Sequence, residues 1–160
     1  VTGIGNAGRN TMIRTTLAAA ALVLAAGPLA ADGHKTPYPE GAEVYFINVA
    51  DGDTVASPLT IQFGLKGMGV APAGAVDFDN VGHHHLLINR GPMGTGEMAE
   101  TEWDETLPNN ENHRHFGGGQ TEVTLELPAG ENTLQMVIAD YAHVPFGPDL
   151  VTEQITITVE

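Results

Sequence analysis

The chain has 160 residues, with 20 acidic and six basic side chains, seven histidines, no cysteine and a formal charge of −14. A field of that sign repels nucleic acid and anionic lipid head groups, which argues against both as partners. Without cysteine there is no disulfide, thiolate ligand or thiol nucleophile, so type 1 copper centres are excluded and an exported domain must rest on packing alone.

Residues 1–31 have the layout of a secretory signal peptide. Arg9 and Arg14 precede an apolar run from Leu17 to Ala26, Gly27-Pro28 ends it, and the small residues Ala30 and Ala31 follow. Residues before Met12 read as an upstream extension. The run is too short to cross a bilayer comfortably, so no membrane insertion is expected after cleavage. A cut after Ala31 leaves residues 32–160 as a single domain, periplasmic or secreted. It carries every acidic side chain but only Lys35, Lys66, Arg90 and Arg114 as basic ones. That cut also exposes Asp32-Gly33-His34. The new amine, two amides and the His34 imidazole can wrap Cu(II) or Ni(II) in a square plane.

From there the texture is all-β. Val44 to Ile47, Leu59 to Phe63, Leu86 to Ile88, Thr121 to Leu127, Leu134 to Ala139 and Ile155 to Val159 are short apolar or alternating runs. Within Thr121 to Leu127, Val123, Leu125 and Leu127 share one face while Thr124 and Glu126 take the other. Period-two alternation with β-branched residues marks half-buried strands. Turn signals separate them at Asp51-Gly52-Asp53, Pro72-Ala73-Gly74 and Pro128-Ala129-Gly130. The expectation is an antiparallel, immunoglobulin-like β-sandwich of about seven strands. Gly91 to Asn112 reads as a long loop, and Gly117-Gly118-Gly119 offers positive φ or a close backbone approach.

Histidines cluster on this framework: His83-His84-His85 opens the Leu86 run, His113-Arg114-His115 follows, and His143 stands alone. On a strand His83 and His85 share one face and His84 takes the other, and the same rule pairs His113 with His115. Two such pairs on neighbouring strands offer four nitrogens, with His143 a fifth candidate. A nitrogen-only site suits copper or zinc rather than calcium or magnesium, which prefer oxygen. Asp77, Asp79, Glu122 and Asp140 are candidate carboxylates to complete or orient such a site. Met68, Met93 and Met98 are candidate soft ligands, but scattered ones.

The strings Gly82-His83-His84-His85-Leu86-Leu87-Ile88 and His113-Arg114-His115-Phe116-Gly117-Gly118-Gly119-Gln120-Thr121-Glu122 resemble an exported bacterial family, domain of unknown function 4399 (DUF4399). Leu65 to Gly74 and Leu127-Pro128-Ala129-Gly130 fit it too, and the resemblance runs from about Ala50 to Val159. It implies export and a genuine histidine signature, but no reaction. Members often carry a further histidine three positions after the last one. Phe146 stands there in this chain, a departure that counts against His143 as an essential ligand.

The leading expectation is a periplasmic, non-enzymatic module that binds copper or zinc through His83, His85, His113 and His115, with His143 and His34 as outlying candidates. The metal ion is its expected partner, and no protein partner is identified. A structural or adhesion domain whose histidines form a hydrogen-bonded network is the first alternative. A metal-dependent enzyme with Glu122 or Asp140 as general base is the second.

Overall fold

A computed structural model of the chain describes residues 1–3, 36–74, 79–96, 99 and 101–160. The expected leader from residue 4 onward, its cut after Ala31, the His34 motif, Asp77 and Met98 lie outside the described residues. Among the described residues, no helix is long and apolar enough to cross a membrane.

Among the described residues nine strands form: β1 Glu43–Phe46, β2 Thr54–Val55, β3 Leu59–Lys66, β4 Gly69–Val70, β5 Val81–Ile88, β6 His113–His115, β7 Glu122–Leu125, β8 Gly130–Ala139 and β9 Ile155–Val159. One sheet runs β1-β3-β7. The other runs β2-β9-β8-β5-β4, with β6 also paired to β5. Most pairs are antiparallel, as expected, but β2–β9 and β4–β5 are parallel. Both exceptions involve strands of two residues, too short to show a period in the sequence.

The sheets face each other across one core. Val44, Ile61, Phe63 and Leu125 come from the three-stranded sheet. Leu86, Ile88, Leu134, Met136, Ile138, Ile155, Ile157 and Val159 come from the larger one. Alternation dictates which residues enter: on β8, Leu134, Met136 and Ile138 point inward, and Val137 and Ala139 point outward. A fully buried Leu or Ile contributes about 2 kcal/mol, so this layer carries most of the stability.

The outer face of the larger sheet is not left to solvent. Loop residues Met93 and Leu107 pack on Leu87, Val137 and Ala139 there, with Trp103 and Val151 beside them. Met93, Trp103 and Leu107 therefore form a lid over β5 and β8, which helps to explain why β5 is buried on both faces from Gly82 to Ile88. Gly82 has no room for a side chain. A Cβ would stand 2.7 Å from Ile138 Cγ2 and 2.8 Å from Phe146 Cε2, so glycine lets Phe146 close the sandwich just before the histidines begin.

Candidate metal centre

Strand β5 divides the histidine triplet as its period requires. His84 turns into the core, fully buried, with its ring 5.2 Å from that of Phe63. The backbone of Gly64 and Gln120 lies beside it, yet neither ring nitrogen has a hydrogen bond of ordinary geometry. His83 and His85 turn outward beneath the loops, at 1% and 0% exposure, with their Nε2 atoms 3.0 Å apart.

Strand β6 lies antiparallel on the edge of β5, with His115 opposite His85 and His113 opposite Leu87. Both β6 histidines share the outer face, but the register places them differently. His115 lies beside His83 and His85, its ring centroid 4.9 Å from each. His113, one pair further along, reaches only the far side of His85, with its Nε2 3.2 Å from His85 Nδ1. Gly117 then brings the backbone back against the His115 ring; a Cβ there would overlap Cε1 and Nε2.

The fourth imidazole comes from a turn after β8. His143 has φ 67°, in the left-handed region that few side chains accept, although histidine visits it more than most. Asp140 holds it there. Its Oδ1 accepts hydrogen bonds from the Ala142 and Val144 amides at 2.9 and 3.0 Å, and its Oδ2 accepts one from Thr36 Oγ1 at 2.7 Å. The Leu107 amide donates to the His143 carbonyl at 2.9 Å, tying the turn to the lid. The ring of His143 sits 4.5 Å from His115 and 5.1 Å from His83, centroid to centroid.

Four side chains, His83, His85, His115 and His143, thus offer ligand nitrogens that all lie within 4.8 Å of one another. His83 and His85 are closed off, while His115 and His143 are half-buried. Burial first, and then repulsion among the clustered rings, pushes the pKa of His83 down to about 3 and that of His85 to about 2. His113 falls to about 4, mainly from burial and then from the nearby Arg90 charge, and His115 is lowered by burial and by His143. Those four imidazoles are neutral near pH 7, the form that binds metal. His115 Nε2 is enclosed without any hydrogen-bond partner, an orphan that an ion or its water could satisfy. The donor set is all nitrogen, and its spacing could hold a metal ion.

Residues 61–160 match the family described as domain of unknown function, DUF4399. The chain belongs to the DUF4399 family. No curated protein matches the chain, and no solved structure does. The DUF4399 region contains all four clustered histidines. It also contains Phe146, which is buried in the core beside Tyr38 and is no part of the cluster.

The remaining sequence candidates fall elsewhere. Glu122 is exposed on β7 in the other sheet, and Asp79 is exposed in the turn before β5. Asp140 spends one carboxylate oxygen on the amides of the His143 turn and the other on the Thr36 hydroxyl. Met93 packs in the outer apolar layer, and Met68 packs against the inner core. Two residues outside the histidine signature also reach the site: Arg90, whose Nη1 lies 3.5 Å from His113 Nδ1, and Glu102, its ion-pair partner. A hint was present: Arg90 is one of only four basic residues after position 31 and stands two positions past the end of β5.

Proposed function

We propose that the protein is an exported, non-enzymatic metal-binding module that holds one copper or zinc ion through His83, His85, His115 and His143, for storage, delivery or protection. The observation that carries this reading is the convergence of four imidazoles from three separate segments within 4.8 Å. Export is supported by the leader-like order of residues 1–31 and by the family resemblance. A binding role rather than a catalytic one is supported by the candidate bases: Asp140 is committed to a turn and Glu122 belongs to the opposite sheet. Calorimetry of metal-free protein with Cu(II) or Zn(II) near neutral pH tests it. One saturable site per chain is the expected result, lost in a His85→Ala, His115→Ala double variant; no saturable uptake by the folded protein overturns it.

A second reading has its own observation. The rings of His83, His85 and His113 already lie in hydrogen-bonding contact with one another, and a buried polar network of this kind can pin a fold unaided. Metal that binds the native state raises the melting temperature, whereas a self-sufficient network leaves it indifferent to metal and to chelator.

A further inference from the structure

The contacts of His85 on the side away from the cluster have a direction, and Arg90 sets it. A guanidinium can only donate hydrogen bonds, and a neutral imidazole has one donor nitrogen and one acceptor. With Arg90 Nη1 at 3.5 Å, His113 Nδ1 is the acceptor and the hydrogen of His113 resides on Nε2. That N–H points at His85 Nδ1, 3.2 Å away, which must accept. The hydrogen of His85 is thereby placed on Nε2, where it donates to His83 Nε2 at 3.0 Å. Glu102 steadies the arrangement. One of its oxygens pairs with Arg90 Nη2, and the other accepts from the Gly94 amide at 2.8 Å.

Nε2 is also the nitrogen that His85 has left for an ion, since Nδ1 is taken by His113. An ion there requires the hydrogen of His85 to sit on Nδ1 instead. His113 must then accept at Nε2 and carry its own hydrogen on Nδ1, facing a donor. The proton balance is neutral: one hydrogen leaves His85 Nε2, the hydrogen between the two rings changes owner, and one arrives at His113 Nδ1. The ion takes the place of the His85–His83 hydrogen bond, and the Arg90–His113 contact is lost with nothing in exchange.

We infer that Arg90, acting through His113, is a positioning residue that holds His85 in the form that disfavours an ion and so keeps the centre's metal weakly held and exchangeable. The inference rests on the metal-binding reading above. It also gives a role to His113, which lies outside the four-nitrogen group although it belongs to the same signature.

The test uses the full chain with Zn(II), which is diamagnetic, in two arms. Two-bond ¹H–¹⁵N correlation spectra of the wild type should show His113 protonated at Nε2 without zinc and at Nδ1 with it; a Coulombic effect of Arg90 would not move that signature. In parallel, Arg90→Gln, whose amide can accept as well as donate, should bind zinc roughly tenfold tighter. Arg90→Lys, still an obligate donor, should bind like the wild type. An unchanged His113 tautomer, or zinc binding by Arg90→Gln no tighter than wild type, overturns the inference while leaving the metal site standing. Absence of zinc binding in the wild type overturns both. Should a variant fail to fold, the wild-type spectra decide alone.

Discussion

Asp140 and His143 are bound into one turn: the His143 amide donates to the Asp140 carbonyl at 2.9 Å, and the Asp140 carboxylate takes up the amides on either side of His143. A buried carboxylate, 1% exposed, therefore sets the position of a half-buried imidazole. Asp140→Ala leaves two amides and a hydroxyl without their acceptor, a loss of about 2–4 kcal/mol. The melting temperature should fall by several degrees, and metal affinity should fall with it because His143 is no longer presented. Asp140→Asn, which keeps an acceptor at Oδ1, should lose far less of either. Equal losses in the two variants would show that the turn does not depend on these hydrogen bonds.

His143→Asn separates ligation from strain. Asparagine tolerates the left-handed backbone at this position, so the metal-free protein should melt within a degree or two of the wild type. Metal binding should weaken at least tenfold as one of four nitrogens is lost. Calorimetry and a melting curve on the same preparation check both halves.

Gly117→Ala addresses His115 without touching a ligand. The new methyl overlaps the imidazole at Cε1 and Nε2, so the ring must rotate or the backbone must retreat. The expected cost is about 1–3 kcal/mol of stability together with weaker metal binding. Unaltered affinity would mean that His115 is not a ligand.

His84 should behave oppositely to its two neighbours. It is fully buried against Phe63, and neither ring nitrogen has a hydrogen bond of ordinary geometry, although the backbone of Gly64 and Gln120 lies beside it. Replacing such a group with an apolar one removes a desolvation cost of about 1–3 kcal/mol. His84→Leu is expected to raise the melting temperature and leave metal uptake intact, whereas His83→Leu should abolish uptake. A drop in melting temperature for His84→Leu would mean that the ring nitrogens have partners in solution.

The metal-free protein should be acid-labile. Burial lowers the folded-state pKa of His83, His84, His85 and His113 to about 3, 4, 2 and 4, while the same groups titrate near 6.5 when unfolded. As pH falls below 6.5 the unfolded chain binds protons that the folded one refuses. The stability present above that pH is lost progressively, by up to about 1.4 kcal/mol per pH unit for each histidine. Melting temperatures should be flat above pH 7 and drop between pH 6.5 and 4.5, before most carboxylates titrate. A flat profile down to pH 4.5 contradicts the burial of these rings.

Much of the fold was legible because its strands alternate. Ile155 to Val159 and Thr121 to Leu127 matched β9 and β7 to within two residues, and the split of His83 and His85 from His84 followed from period two alone. The histidine cluster was legible only in part. Alternation correctly put His113 and His115 on one face, but it carries no information about offset along the strand. The β5–β6 register sets His115 against His85 and His113 against Leu87, which moves His113 out of the four-nitrogen group. His143 was legible only as an outlying candidate: its position depends on Asp140, Thr36 and Leu107, contacts that span up to 104 residues and leave no local pattern.

The unequal burial of the four imidazoles gives the group a front and a back. His83 and His85 are fixed on a strand clamped between β8 and the pair β4 and β6, whereas His115 and His143 border solvent on a strand end and a turn. An ion held among them would trade ligands in a set order, giving up the turn-borne imidazole first and the two strand-borne ones last. Handover to an acceptor with its own donors would then proceed one bond at a time, with no opening of the sandwich and no bare ion in between.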